Sequence, residues 1–319
     1  MRLPAHIVSD PNPVYKAKHA KSRDFCSGST KMRMKLTMPG HLIDVPSLKA
    51  LLNSSECRLV DCRSDLFDPD KGRADYLAGH LPGAVHADMD KDLASEVMPE
   101  TGRHPLPDVD AFCRTLESWG IGNETHVVAY DSGNGALAVR LWWMLKWLGH
   151  DNVSVLNGGV AAWSVAGEAL ETTTPKWAPA EFSGSADDSL VATTEEIASA
   201  LTSGQEINLI DARDEGRFRG DFEPIDSVAG RIPGARNYPL SRNLTEDGYW
   251  RSAQELEAIW AEFQGGESDR ATIVMCGSGV TACHLIMSAA LAGQDLPRLY
   301  VGSWSEWIRD KNRPVATGD

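Results

Sequence analysis

The sequence predicts an α/β fold of two tandem domains, each a parallel sheet flanked by helices, and two observations carry that expectation. The first is an internal repeat. Leu59-Val60-Asp61-Cys62-Arg63 returns as Leu209-Ile210-Asp211-Ala212-Arg213, and Ala78-Gly79-His80-Leu81-Pro82-Gly83-Ala84 as Ala229-Gly230-Arg231-Ile232-Pro233-Gly234-Ala235. Thr125–Asp131 then matches Arg270–Cys276, and Leu156-Asn157-Gly158-Gly159 before Trp163 matches Tyr300-Val301-Gly302-Ser303 before Trp307. Four blocks in one order make a duplicated domain. The second observation is periodicity. Short apolar runs at 59–60, 127–130, 209–210 and 272–275, bounded by polar residues or glycine, read as buried strands. Helical patterns lie between them. Thr193-x-x-Glu196 and Ser252-x-x-Glu255 read as capping boxes. The segments 136–148 and 280–292 are apolar nearly all round and stop at Gly149 and Gly293, where a helix end needs a left-handed residue. Strands alternating with helices imply parallel sheets covered on both faces.

The repeat places the domains at 41–165 and 191–319, with a linker at 166–190, where Thr172-Thr173-Thr174-Pro175 and Ser183-Gly184-Ser185 break the periodicity. Residues 1–38 carry eight Lys/Arg against two Asp, few aliphatics and scattered Pro, Ser and Gly. They read as a disordered basic extension or an over-long start, with Met32, Met34 and Met38 as other starts. The whole chain is 42% hydrophobic and 24% charged with a net charge of −14, so the body beyond the extension is strongly acidic. That composition describes a soluble globular protein and argues against nonspecific nucleic-acid binding. No apolar run is long enough to span a bilayer, and no signal-peptide core is visible near the start. Six cysteines show neither a Cys-x-x-Cys pair nor a zinc-type Cys/His spacing. A reducing, cytoplasmic setting without a bound metal is expected.

The chemistry-bearing segment is Cys276-Gly277-Ser278-Gly279-Val280-Thr281, between a buried strand and a long helix. Ligands of open α/β sheets bind at the C-terminal ends of strands. Two glycines let the backbone curl round the Cys276 sulfur with several N–H groups inward, and a helix beginning near 280 adds its positive dipole end. Both favour a thiolate, which is the nucleophile. The same cradle would hold the terminal sulfur of a persulfide. A small buried hydrophobe, the plain alternative for a cysteine, explains neither glycine. Phosphatase chemistry is excluded by spacing. A Cys-x5-Arg loop clamps phosphate with its arginine, and the sixth position after Cys276 is Ala282.

The run Cys276-Gly277-Ser278-Gly279-Val280-Thr281-Ala282-Cys283-His284 resembles the active loop of 3-mercaptopyruvate sulfurtransferases, a branch of the tandem rhodanese superfamily related to thiosulfate sulfurtransferase. The resemblance covers about 41–319, with His80-Leu81-Pro82-Gly83-Ala84, the Asp-x-Arg strands and Gly302-Ser303-Trp304-x-x-Trp307. It implies five-stranded sheets and one active site, with Asp131 standing in the first half where Cys276 stands in the second. It implies Ser278 and His80 as a proton relay, with Asp61 or Asp75 as partner of His80. It implies Arg217 as the anchor of the donor's anionic group, and Gly277, Gly279, Val280 and Thr281 as the loop that binds substrate. The second arginine usual after a Glu-Pro pair is missing, since Ile225-Asp226 follows Glu223-Pro224. Basic residues directly after the cysteine, a thiosulfate pattern, are missing as well.

The expected function is sulfur transfer from 3-mercaptopyruvate, through a Cys276 persulfide, to a thiol, thioredoxin or cyanide, with no organic cofactor. Thiosulfate as donor, or a non-catalytic rhodanese-like binding module, are the alternatives. Trp142, Trp143 and Trp147, at helical spacing, read as core or interdomain packing. Gly133-Asn134-Gly135 lacks the third glycine of a dinucleotide fingerprint. Thr101-Gly102-Arg103-His104-Pro105 reads as a loop near the domain interface without a catalytic role.

Overall fold

A computed structural model describes residues 40–52, 56–263 and 272–318; the basic segment 1–38, with Cys26, and residues 264–271, which include the first two residues of the Arg270–Cys276 repeat block, lie outside them. The first domain runs β1 (Leu42–Ile43), α1 (Val45–Leu51), β2 (Cys57–Asp61), α2 (Lys71–Ala78), β3 (Val85–His86), α3 (Val109–Ser118), β4 (His126–Tyr130), α4 (Ala138–Trp147), β5 (Val153–Leu156) and α5 (Gly159–Val165). The second runs β6 (Val191–Ala192), α6 (Thr194–Ser203), β7 (Asn208–Asp211), α7 (Glu215–Arg219), β8 (Arg236–Asn237), α8 (Ala253–Ala261), β9 (Thr272–Met275), α9 (Cys283–Leu291), β10 (Arg298–Tyr300) and α10 (Ser303–Trp307). Each domain is one five-stranded sheet, ordered β1-β5-β4-β2-β3 and β6-β10-β9-β7-β8. Every pairing is parallel. Parallel strands need helical crossovers, which explains the alternation seen in the sequence.

The matched motifs do the same work in both halves. Arg63 folds back on Asp61 and donates to Gly79 O at 2.8 Å; Arg213 does so on Asp211 and Gly230 O, also at 2.8 Å. Each Asp-x-Arg strand thereby ties the end of β2 or β7 to the loop that follows the next helix. Trp163 donates to Ala169 O and Trp307 to Pro314 O, both at 2.9 Å, pinning the chain as it leaves each domain. The register makes Asp131 and Cys276 equivalent. Asp61 pairs with Tyr130 and Asp211 with Met275, so each is the first residue past its central strand.

Helix α4 is buried on nearly all sides, Trp142 and Trp143 included, and packs against α9 of the other domain. One apolar cluster runs through both, with Leu141, Trp142 and Leu145 beside Leu285, Ile286 and Met287. That interdomain seam is why both helices read apolar all round. Helix α9 starts at Cys283, three residues later than the sequence suggested. Ser252 and Glu255 form a full capping box, but at Thr193 only the hydroxyl caps, because Glu196 is drawn away to Arg298. Residues 166–187 carry no regular secondary structure and lie along the first domain. Glu171 bridges His80, Trp177 donates to Gly83 O and sits under the Arg58 guanidinium, and Phe182 is buried.

Candidate active site

A cavity of about 440 Å³ opens between the domains at the C-terminal ends of their central strands. Its second-domain wall includes Cys276, Gly277, Ser278, Val280, Thr281 and Arg217. Its first-domain wall includes Asp90, Arg103 and His104. Five of the loop residues expected from sequence, and Arg217, are thus brought together. Gly279 is the bend of the loop and not part of the wall. Its φ is +76°, and a side chain there would meet Val301 O at 2.3 Å.

Cys276 is buried, with its N–H donating to Ser303 Oγ at 3.1 Å. Ser303 holds a left-handed φ of 53°, unusual for a residue with a side chain, and its own hydroxyl reaches Tyr300 O. The loop's fold is set by α10, since Trp304 N–H donates to Cys276 O and Ser305 N–H to Gly277 O. The equivalent loop in the first domain shows what such a curl holds. There the Asp131 carboxylate accepts from the N–H groups of Gly133, Gly135, Leu137 and Ala138 at 2.9–3.2 Å.

The histidine beside Ser278 is not the one expected. Ser278 Oγ lies 2.8 Å from His104 Nδ1, and His104 Nε2 lies 3.2 Å from Asp90 Oδ1. His80 is elsewhere. It is buried, stacked on Tyr76, with Nδ1 on Tyr76 O at 2.7 Å and Nε2 on Thr173 O at 3.2 Å. Its backbone pairs with Glu171 just as its counterpart Arg231 pairs with Ala316, so the position pins the chain that leaves each domain. Asp61 is engaged by Arg63 and Asp75 by Lys71; neither is its partner. Asp90 accepts only, so the neutral His104 ring carries its proton on Nε2 and accepts the Ser278 hydroxyl hydrogen bond at Nδ1. Burial pushes the His104 pKa down to about 4, with Arg140 adding to the effect and Asp90 opposing it.

Each domain reaches across to cover the other's loop. Arg103 N–H donates to Ser305 Oγ at 3.0 Å, placing His104 over Ser278. In the opposite sense Trp250 N–H donates to Asn157 Oδ1, while its ring lies against Gly135 and stacks on His284. Arg140 locks the arrangement from below. Fully buried, it donates to Gly279 O, Leu93 O and His104 O at 3.2–3.3 Å. Burial lowers its pKa, and the Cys283 and Cys276 thiols offset part of that.

Arg217 is held by Glu223 through Nε and Nη2 and reaches Asp226 at 3.3 Å. Burial alone would raise the Glu223 pKa. The Arg217 hydrogen bond and the N–H groups of Asp226 and Ile225 outweigh it and hold the carboxyl below its ordinary value. Asp226 also takes Arg103 Nη1, and burial holds its pKa above the ordinary value. Among the described residues no group of three or more His, Cys, Asp or Glu is placed to hold a metal ion, and no helix is long and apolar enough to cross a membrane.

Sequence reading missed Arg103, His104, Asp90 and Arg140. Arg140 carried a signal, as a cation in a helix otherwise apolar on every side. Arg103 and His104 lie in the loop expected near the domain interface but read there as without a catalytic role, and Asp90 carried no signal, because what these three touch is set only by domain docking.

Comparison with known proteins agrees with this architecture. The family profile for the rhodanese-like domain matches twice, at residues 44–166 and 193–310. A protein of Pseudomonas aeruginosa described as a probable 3-mercaptopyruvate sulfurtransferase is 44% identical over 281 residues, covering 87% of this chain and 98% of that one. A putative thiosulfate sulfurtransferase of Mycobacterium tuberculosis is 37% identical, covering 87% and 97%. The solved 3-mercaptopyruvate sulfurtransferase of Leishmania major superposes with a TM-score of 0.73 at 33% identity, covering 84% of this chain and 74% of that one.

Proposed function

We propose, for a chain that belongs to the rhodanese-like-domain family and is a sulfurtransferase, that Cys276 carries sulfur from 3-mercaptopyruvate to a thiol acceptor. The observation that carries this reading is the pair of equivalent loops. In the first domain the loop encloses a carboxylate whose oxygens stand two atoms beyond Cβ. A Cys276 persulfide, Cβ–Sγ–Sδ⁻, extends just as far and would place its anionic sulfur among the matching N–H groups. Cysteine alone ends one atom short.

The chemistry balances without a cofactor. The Cys276 thiolate attacks the donor sulfur, the C–S bond breaks towards carbon, and the donor's thiol proton ends on C3, giving pyruvate and Cys276 persulfide. Ser278, His104 and Asp90 supply the path for that proton. A thiol, thioredoxin or cyanide then takes the outer sulfur and regenerates the thiolate. The five described cysteines are free thiols, which fits a reducing compartment such as the cytoplasm.

Thiosulfate through the same Cys276 is the second reading, favoured by the likeness to the mycobacterial protein. A non-catalytic binding module is disfavoured, since the nucleophile is intact and opens on the cavity. The test is intact-protein and peptide mass spectrometry after incubation with each donor. One added sulfur on Cys276, removed by reductant and absent in Cys276→Ser, is expected, with a faster steady-state rate on mercaptopyruvate. No adduct from either donor would sink the enzyme reading, and a strong preference for thiosulfate would reverse the donor.

A further inference from the structure

Helices α4 and α9 each reach across the domain seam to the same point of the other domain's loop. From α4, Arg140 donates to Gly279 O, three residues past Cys276, at 3.2 Å. From α9, His284 Nε2 donates to Asn134 O, three residues past Asp131, at 3.1 Å. The His284 ring is neutral, because the carbonyl only accepts and Nδ1 in turn accepts from Asn243 Nδ2 at 2.9 Å. The loop it ties holds a permanent carboxylate, already met by four N–H groups. A neutral donor is therefore enough to tie a loop to the opposite helix, yet the loop with the nucleophile is given a cation. That cation is costly where it stands. Arg140 is fully buried, a guanidinium keeps its proton, and its acceptors are the uncharged carbonyls of Gly279, Leu93 and His104. Among the described residues no carboxylate pairs with it.

The other charges around the Cys276 loop are balanced. Arg213, Arg217 and Arg103 meet Asp211, Glu223 and Asp226, three cations to three anions. His104 is neutral with Asp90 behind it, and Asp65 and Asp90 line the first-domain wall of the cavity. The groups that favour the charge on Arg140 are the sulfurs of Cys283 and Cys276. Cys283 stays a thiol, since its Sγ donates to Gly279 O at 3.5 Å and burial pushes its pKa up to about 12. Cys276 is the sulfur that remains. We propose that Arg140 is the buried counter-charge of the Cys276 anion, supplied by the first domain to the loop of the second, and that it holds this sulfur as a thiolate. It faces thiolate and persulfide alike, because each carries one negative charge. Arg140 is not part of the cavity wall, so it is a positioning residue that acts on a donor only through Cys276. The inference rests on the reading of Cys276 as the sulfur carrier, but its test does not.

The test follows the rate of Cys276 alkylation by neutral iodoacetamide against pH on the full chain. The rate is measured on the Cys276 peptide so that other thiols do not contribute. Arg140→Gln keeps a donor for Gly279 O and loses the charge. The pH of half-maximal rate should then rise by about one pH unit or more, the effect one neighbouring cation has on an acid. Arg140→Lys keeps the charge but not the fork that reaches Leu93 O and His104 O. It should melt below wild type yet hold its half-maximal pH within about half a pH unit of wild type. The lysine variant therefore decides the matter even where the glutamine variant does not fold. A half-maximal pH unchanged in Arg140→Gln overturns the proposal. So does a lysine variant displaced beyond that half unit, which would make Arg140 a structural tie as His284 is. If no donor places sulfur on Cys276 yet the profile follows the charge at position 140, the transfer reading fails and the counter-charge stands.

Discussion

Replacing His104 by asparagine separates the two donors by the protons each must move. With mercaptopyruvate, a proton leaves the donor thiol and one arrives at carbon as the C–S bond breaks. With thiosulfate, sulfite departs as an anion and no proton is transferred. Ser278 Oγ is 2.8 Å from His104 Nδ1, and with the His104 pKa near 4 the ring is charged in about one molecule in a thousand at pH 7. The neutral ring, oriented by Asp90, has Nδ1 free to accept from Ser278. General acid–base catalysis of this kind contributes about 10²- to 10⁴-fold. His104→Asn should slow single-turnover persulfide formation from mercaptopyruvate by about 10²-fold or more. With thiosulfate it should slow by less than about tenfold, a bound for a residue that moves no proton in that step. The assay is rapid quench followed by mass analysis of Cys276. Equal slowing with both donors would refute the relay and leave His104 a packing residue.

Further outcomes follow from the same geometry. His104 and His284 are both buried, with pKa values pushed down to about 4, so folding binds fewer protons than the unfolded chain between pH 4 and 6.5. Their contribution to stability is complete above pH 6.5 and lost as pH falls towards 4, by about 3 kcal/mol each at full extent. Denaturant midpoints measured from pH 7.5 to 4.5 should fall more steeply in wild type than in His284→Asn; parallel curves would remove His284 from the account. Gly279→Ala should cost about 3 kcal/mol or more and abolish persulfide formation, since left-handed strain is joined by contact with Val301 O. Gly149→Ala has nearly the same φ but open space, and should cost only about 1 kcal/mol by thermal melts. Similar losses in both would show that the contact with Val301 is not decisive. Asp226→Asn adds one net positive charge beside the Arg103 and Arg217 guanidiniums, and should raise the thiosulfate-to-mercaptopyruvate ratio of kcat/KM because the dianion gains more. An unchanged ratio would remove Asp226 from donor discrimination.

What is local or repeated can be read from the chain alone. The strand-to-helix loop carrying Cys276, its equivalent at Asp131 and the two-domain parallel architecture are all written in short motifs whose geometry depends on neighbours in the chain. Helices α4 and α9 were legible too, because burial on every side leaves a composition that solvent-facing helices lack. Which side chains meet across the domain seam is fixed only when the domains dock. His80 sits in a more conspicuous motif than His104, yet its ring is spent on Tyr76 O and Thr173 O. His104 reaches Ser278 across 174 residues of sequence. The guanidinium beside Arg217 in the cavity wall likewise belongs to Arg103 and not to the segment after Glu223-Pro224, where Ile225 stands. A hydrogen bond between docked domains depends on how two finished surfaces fit, and no periodicity within either chain segment records that fit.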